Sequence, residues 1–306
     1  MSLLVVGSIA LDTIETPTGK VENALGGSST YISIASSYFQ DEVHLIGVVG
    51  EDFPQEHINL LKNHNIDISG LEIIKGGKTF RWGGKYHTDM NQRDTLFTEL
   101  GVFEQFDPKI PEKERKDKFV VLGNIHPALQ NHVLTQLDSP ELIVCDTMNL
   151  WIETAYDELI EVIKKVDVLI INDSEARLIT KENNLIKSAK IIMGMGPKHL
   201  IIKKGEHGAL LFGEDKIFAA AAYPLESISD PTGAGDTFAG GFTGYLSRSG
   251  DLSFDNMKRA VIYGSAVASF CVEEYSTKKI ENLTKEEIQK RFKEFHEITR
   301  FDDAGF

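Results

Sequence analysis

The chain has 306 residues, of which 42% are hydrophobic and 25% charged, proportions that are typical of a soluble globular protein with a large core. Its formal net charge of -14 argues against nucleic acid and anionic membranes as partners, because both require a basic face. Its two cysteines show neither a disulfide framework nor metal-ligand spacing, and no signal peptide or membrane helix is recognisable at the start, so we expect a cytoplasmic protein.

The chain opens with an apolar run at residues 3–9, which predicts a buried strand that ends near Asp12. Residues 13–23 contain a Pro-Thr-Gly turn between two arms that bear Thr and Val, a pattern typical of a hairpin. We interpret this hairpin as part of a lid. Taken alone, Asp12 is equally well explained as a residue that caps a turn.

Gly26 and Gly27 precede a pattern of apolar residues at helical spacing, for which Ser28 or Ser29 is the expected N-cap. Further along, residues 76–106 are rich in Gly, Thr and aromatic residues and lack a helical period, which favours an inserted β lid. Arg81 and Arg93 within it are candidates for contact with substrate or phosphate, although an exposed basic residue is more often only a solvated charge.

Strand-like runs alternate with helical ones along the rest of the chain. The predicted strands lie at residues 43–49, 66–74, 119–122, 142–145, 168–171, 200–203 and 209–212. This alternation predicts an α/β fold with a doubly wound, mostly parallel sheet, and ligands bind such sheets at the carboxyl ends of the strands. Because Asp12, Asn172, Gly205 and Asp230 each follow a predicted strand, we expect them to lie along one edge of the sheet.

The most informative stretch is residues 230–241, where a proline and a glycine-rich turn at Gly233, Ala234 and Gly235 run into a helix. The first N–H groups of a helix have no internal partner and carry the positive end of its dipole, so the turn predicts an anion hole that suits phosphate. Asp236 at its rim is placed to take a proton from an attacking hydroxyl. The alternative is a tight turn with Asp236 as an ordinary capping residue.

Two other sequence patterns are candidate nucleotide-binding motifs. Asn172 and Glu175 have the spacing of a helix capping box, and residues in such a box can serve a second purpose at a ligand site. The Gly194-Met195-Gly196 segment lacks the third glycine of a dinucleotide fingerprint, and the chain has no Walker A motif, which excludes a P-loop kinase.

Residues 230–241 resemble the C-terminal signature of the ribokinase-like (phosphofructokinase B-type) carbohydrate and nucleoside kinases, and the order of the other motifs extends the resemblance over the whole chain. The resemblance implies that Asp236 is the catalytic base and that Gly233, Ala234 and Gly235 form the anion hole. It places Asp12, Gly26 and Gly27 against the hydroxyls of the acceptor. Tyr31 stands where the family usually has a sugar-binding Asn, which leaves the acceptor open.

The resemblance also implies a nucleotide site and a metal site. The nucleotide residues that it suggests are Asn172, Glu175, Lys203, Gly205, Gly208 and Gly264. Glu175 would hold Mg²⁺ through water, and Asp230 and Thr232 match the positions that bind a monovalent cation, K⁺, in family members.

We therefore expect one kinase domain over residues 1–306, with lid segments at about 12–24 and 76–106. With ATP and Mg²⁺ it would phosphorylate a hydroxyl of a sugar or sugar-like molecule, with Asp236 as base, and Arg81 and Tyr31 would contact the acceptor. A nucleoside kinase of the adenosine type is the alternative, and a non-catalytic ligand-binding protein is the alternative from another class. A homodimer through the lid is a further expectation.

Overall fold

The computed structural model describes residues 2–300 and contains two β-sheets. The larger sheet has nine strands in the order β13-β12-β11-β10-β9-β8-β1-β4-β5. These are β1 (Leu3–Val6), β4 (Val43–Gly50), β5 (Ile66–Ile74), β8 (Phe119–Leu122), β9 (Leu142–Asp146), β10 (Val168–Asn172), β11 (His199–Lys203), β12 (Ala209–Gly213) and β13 (Lys216–Ala220). All neighbouring pairs are parallel except β11 with β12 and β12 with β13, which confirms the predicted mostly parallel sheet.

Ten α-helices accompany the strands along the described chain. They are α1 (Ser28–Ser37), α2 (Gln55–Asn63), α3 (Pro127–Leu134), α4 (Asn149–Thr154), α5 (Tyr156–Ile163), α6 (Asp173–Thr180), α7 (Leu185–Met193), α8 (Ala234–Ser249), α9 (Phe254–Cys271) and α10 (Lys285–Thr299). No helix among residues 2–300 combines the length and the apolar character needed to cross a bilayer.

Hydrophobic layers cover both faces of the larger sheet. Successive residues of β1 point to opposite faces, as in any strand, so Leu3 and Val5 pack in one layer while Leu4 and Val6 pack in the other. The first layer contains side chains of α1, α2, α8 and α9, and the second contains side chains of α3 to α7. Two-sided burial explains why the strands appear in the sequence as unbroken apolar runs.

The smaller sheet is the lid. Its strands are β2 (Ala10–Thr16), β3 (Gly19–Gly26), β6 (Phe80–Tyr86) and β7 (Arg93–Glu99), in the order β3-β2-β6-β7. The hairpin of β2 and β3 is the one that the Pro-Thr-Gly turn predicted, and a parallel pairing of β2 with β6 joins it to the later insertion.

Three details differ from the predictions. Asp230 does not follow a strand, because β13 ends at Ala220 and residues 221–229 form a loop. The other two details lie at the start of the chain. β1 ends at Val6, and Asp12 lies inside the lid strand β2, so it does not directly follow a strand of the larger sheet. The serines of α1 do not cap the helix, whose N-cap is Gly27 with φ 92°. Ser29 instead donates to the carbonyl of Ser8 at 2.8 Å and so fixes the connection between the two sheets.

Candidate functional site

The site lies at the carboxyl edge of the larger sheet, beneath the lid, and its centre is the turn into α8. Gly233 has φ 74°, a left-handed conformation that favours glycine. A Cβ added there would lie 2.4 Å from the ring of Tyr31, so a side chain is excluded by contact as well. The turn therefore needs glycine for two separate reasons.

The free donors of this turn are the N–H groups of Gly235 and Asp236. The N–H of Ala234 donates to the carbonyl of Pro231 at 3.2 Å, so it closes the turn. Among residues 2–300, the N–H groups of Gly235 and Asp236 make no backbone hydrogen bond outside the regular helix pattern, which leaves both free in the first turn of α8. An anion bound there would meet these donors and the positive end of the dipole of a helix of 16 residues.

Asp236 is the third residue of α8, and it does not cap the helix, whose N-cap is Gly233 without a side-chain hydrogen bond. Its Oδ1 atom is buried and has no hydrogen-bond partner among the described residues. Burial and the nearby Asp146 raise the pKa of Asp236 to about 7, against the opposing charges of Lys203 and Arg93. A carboxyl group that titrates near neutral pH suits a general base.

Three further charged side chains surround Asp236. The Nζ atom of Lys203, at the end of β11, lies 3.5 Å from Oδ1 of Asp146, at the end of β9. A Cβ added at Gly235 would lie 2.7 Å from the same Nζ, so the ammonium group is in contact with the turn. Burial opposes the charge of Lys203, but Asp146, Glu175 and Asp236 outweigh that effect and raise its pKa.

Asn172 and Glu175 form the predicted capping box at the start of α6. The N–H of Glu175 donates to Oδ1 of Asn172 at 2.8 Å, and the N–H of Asn172 donates to Oε2 of Glu175 at 2.7 Å. Burial raises the pKa of Glu175 to about 7. Because Asn172 and Lys203 are partners in the register of β10 and β11, the box also lies beside the lysine.

Asp12 lies on the lid side of the site. It is buried, and burial together with the charges of Asp230 and Asp236 raises its pKa to about 8. The fold therefore brings Asp12 within electrostatic range of Asp236, although 224 positions separate them in the sequence. Gly26 makes room for it, since a Cβ added at Gly26 would lie 2.0 Å from Oδ2 of Asp12.

Asp230 is fully buried and stabilises the turn through both carboxylate oxygens. Oδ1 accepts from the N–H of Thr232 and Oδ2 accepts from the N–H of Ser276, each at 2.8 Å. Burial raises the pKa of Asp230. No ion pair involving Asp230 occurs within residues 2–300.

Tyr31 differs from the expectation that it faces the acceptor. Its side chain is 1% exposed, and its ring lies against Gly233, behind the turn. The phenol oxygen is buried without a hydrogen-bond partner among the described residues. In this position the ring supports the turn into α8 and offers no open face to a ligand.

Three other residues that were predicted to bind ligands make contacts with other parts of the protein. Gly264 on α9 is buried at the crossing with α8, where a Cβ would lie 2.7 Å from the carbonyl oxygen of Phe238, so helix packing alone explains this glycine. Gly208 has φ 82° and lies against the carbonyl of Ala220. Arg81 binds Asn23 of the lid and pairs with Asp52 at 3.2 Å. The roles of these three residues with ligands stay predictions.

The lid contacts the loop after β11. Asn91 donates to Oε2 of Glu206 at 3.0 Å, and a Cβ added at Gly205 would lie 2.8 Å from Oδ1 of Asn91. Arg93 of β7, whose guanidinium lies 5.6 Å from the centre of the Trp82 ring, directs its charge toward Glu175 and Asp236.

Sequence reasoning missed Asp146 and offered Arg93 only as one of two lid arginines for contact with substrate or phosphate. Asp146 directly follows the predicted strand at residues 142–145, and an acidic residue at the carboxyl end of a central parallel strand is a signal that could have found it. Arg93 has no comparable signal, because only the pairing of β6 with β7 directs it at the site.

The comparisons with known proteins agree with this geometry. A model described as "pfkB family carbohydrate kinase" matches residues 2–283. A cytidine kinase of Thermococcus kodakarensis is 32% identical over 254 residues, which covers 81% of this chain and 89% of the relative.

Two solved structures share the fold. The complex of an E. coli candidate ribokinase II with ATP and Mg²⁺ has a TM-score of 0.78 at 18% identity and covers 96% of this chain and 99% of its own. A Burkholderia thailandensis nucleoside kinase in complex with inosine has a TM-score of 0.76 at 21% identity and covers 95% of this chain and 98% of its own. The chain therefore belongs to the pfkB family of carbohydrate kinases and is a phosphotransferase with an alcohol group as acceptor.

Proposed function

We propose that this kinase transfers the γ-phosphoryl group of ATP to a hydroxyl of a sugar moiety, with Asp236 as the general base. The observation that carries the proposal is the position of Asp236, between Asp12 on the acceptor side and the N–H groups and Lys203 on the phosphate side. Asp12 orients the acceptor hydroxyl, and Asp236 takes its proton. The N–H groups of Gly235 and Asp236 stabilise the negative charge that develops on the phosphoryl group.

The residues at this edge also fit a magnesium nucleotide. Three carboxyl groups, those of Asp146, Glu175 and Asp236, lie around the single ammonium group of Lys203, so a polyphosphate would meet excess negative charge unless a divalent cation came with it. Mg²⁺ binds carboxylate oxygens and keeps several waters, and when bound it would neutralise charge on the phosphates. Glu175 is the residue that we propose to hold it through water, and Asn172, Lys203 and Gly205 are those that we propose beside the nucleotide.

Of the two acceptor classes, we propose a nucleoside rather than a free sugar. The support is the similarity to the cytidine kinase of T. kodakarensis. Because Tyr31 is buried, its ring is not open to stack against a base, so the base must contact other residues.

An ADP-release assay with purified protein tests the function and the acceptor together. We expect ATP and Mg²⁺ to give turnover with at least one pyrimidine nucleoside at a kcat/KM well above that with ribose, because binding energy from the base adds to that from the sugar. Higher kcat/KM with ribose than with every nucleoside would reverse the choice of acceptor. Absence of turnover with all sugars and nucleosides would favour the non-catalytic alternative.

A monovalent cation is a further part of the proposal. Asp230 is a buried carboxyl group without an ion pair in the described chain, and the carbonyl of Thr232 lies on the same turn, as the K⁺ site would require. We expect K⁺ to raise kcat/KM by ordering this turn. Rates in KCl, NaCl and tetramethylammonium chloride at equal ionic strength measure the effect, and Asp230→Asn should remove it. Equal rates in the three salts would contradict the site.

We also propose a homodimer through the lid. β7 is an edge strand whose seven residues are all exposed, and Leu96 and Leu100 are 49% and 42% exposed on and beside it. Exposed apolar edge strands are prone to pair with another chain. Light scattering after size exclusion should give twice the monomer mass, and Leu96→Lys should give a monomer. A wild-type monomer at micromolar concentration would contradict the dimer.

A further inference from the structure

A second group of ionisable side chains lies at the opposite edge of the larger sheet, at the amino ends of its strands. Glu42 immediately precedes β4, His44 is its second residue and Asp67 is the second residue of β5. His44 and Asp67 are partners in the parallel register, and Glu42 lies two positions before His44. Because strand side chains alternate with period two, all three lie on one face of the sheet.

Their ligand atoms converge. One nitrogen or oxygen atom from each of Glu42, His44 and Asp67 lies within 4.8 Å of the others. Nε2 of His44 is 3.2 Å from Oε1 of Glu42. The register of β4 and β5 shifts just after His44, and irregularities of this kind re-aim side chains.

A hydrogen bond from the second ring nitrogen, Nδ1, sets the orientation of the His44 side chain. Its side chain is 4% exposed, and its Nδ1 atom lies 2.5 Å from Oδ2 of the equally buried Asp117. Nδ1–H therefore donates to a carboxylate, and Nε2 lies beside the carboxylate of Glu42. Nε2 is itself buried, and its 3.2 Å contact with Oε1 of Glu42 does not have hydrogen-bond geometry.

We propose that Glu42, His44 and Asp67 form a zinc site, separate from the kinase centre. One imidazole nitrogen and two carboxylates, with water as a fourth ligand, are a ligand set that Zn²⁺ accepts. The bond from His44 to Asp117 is the carboxylate contact that commonly fixes a metal-binding histidine. Mg²⁺ fits less well, because it prefers oxygen ligands alone.

The chain can close this site with a small movement. Ligand atoms around zinc lie about 3.3 Å apart for bonds of about 2.0 Å, so atoms that lie up to 4.8 Å apart must approach by at most about 1.5 Å. Glu42 can do so, because its side chain is 56% exposed. Lys113, whose Nζ is 3.8 Å from Oε1 of Glu42, would move away, while Asp67 keeps its hydrogen bond from the N–H of Ser69.

The test uses full-length protein freed of metal and dialysed against Zn²⁺ in excess MgCl₂. We expect one zinc ion per chain and a thermal midpoint raised by ~3–6 °C, as is usual for a ligand that binds only the folded state. Glu42→Gln/Asp67→Asn should lose both effects, while Glu72→Gln, an exposed glutamate further along β5, should keep them. Asp117→Asn should weaken binding by about 10–100-fold, as loss of such a contact does.

Cobalt gives a second readout that does not depend on activity. Co²⁺ at a four-coordinate site of nitrogen and oxygen ligands has intense visible absorption, which should appear in the wild type and be absent in Glu42→Gln/Asp67→Asn. The kinase rate of that double variant should equal that of the wild type, because the site lies at the opposite edge of the sheet. Equal zinc uptake by the wild type and the double variant would overturn the proposal, and so would the absence of zinc uptake by the wild type. His44 would then be an imidazolium paired with Asp117 and Glu42.

Discussion

Asp236→Asn is expected to lower kcat by about 10²–10⁴-fold, the usual scale for loss of a general base. Asn has the same shape but cannot accept the proton of the acceptor hydroxyl. Binding of ATP should be nearly intact, because the N–H groups of the turn and Lys203 are retained. The thermal midpoint should not fall, since the substitution removes a buried charge that Asp146 repels.

The measurement is steady-state turnover together with a nucleotide titration. Asp255→Asn is a matched control, because Asp255 lies in the first turn of α9 just as Asp236 lies in the first turn of α8. Turnover of Asp236→Asn within tenfold of the wild type would exclude this residue as the base. Loss of activity with an equal loss of folding would leave the variant uninformative, and Asp236→Glu would then replace it, with partial activity expected.

Lys203→Met is expected to lower kcat/KM for ATP by about 10²–10³-fold, the scale on which one preorganised donor stabilises a transition state. Its ammonium group lies at the turn into α8, where charge develops on the phosphoryl group. Lys198→Met is the control, since Lys198 precedes the amino end of the same strand and pairs with Asp167 at the surface.

The pH profile of kcat/KM distinguishes an effect of the Lys203 charge from an effect of its packing. A base must be deprotonated to act, so kcat/KM falls as the pH drops through the pKa of Asp236, which is about 7 in the free protein. Lys203 holds this pKa down and Asp146 holds it up. Lys203→Met should therefore move the acid limb of the profile to higher pH, and Asp146→Asn should move it to lower pH. Shifts in the same direction would contradict this charge network.

The sequence by itself determined the larger sheet, the lid and the glycine-rich turn that leads into α8. Apolar runs bounded by polar residues predicted eight of the nine strands of the larger sheet, because strands buried on both faces need continuous hydrophobic side chains. The turn at residues 230–241 was also readable, because glycine at a left-handed position and the unpaired N–H groups of a helix start are local properties of the chain. The Asn172 and Glu175 capping box is local for the same reason.

Only the tertiary structure decided which side chains meet. The pairing of Asp146 with Lys203 depends on two strands that β10 separates, and the approach of Asp12 to Asp236 depends on the lid. Tyr31 matched a position that contacts substrate in the resembled family, yet the close approach of α1 to the glycine turn buries it. Periodicity reports which face of an element is apolar, but burial, pKa and contact are set by elements distant in sequence, which no local pattern encodes.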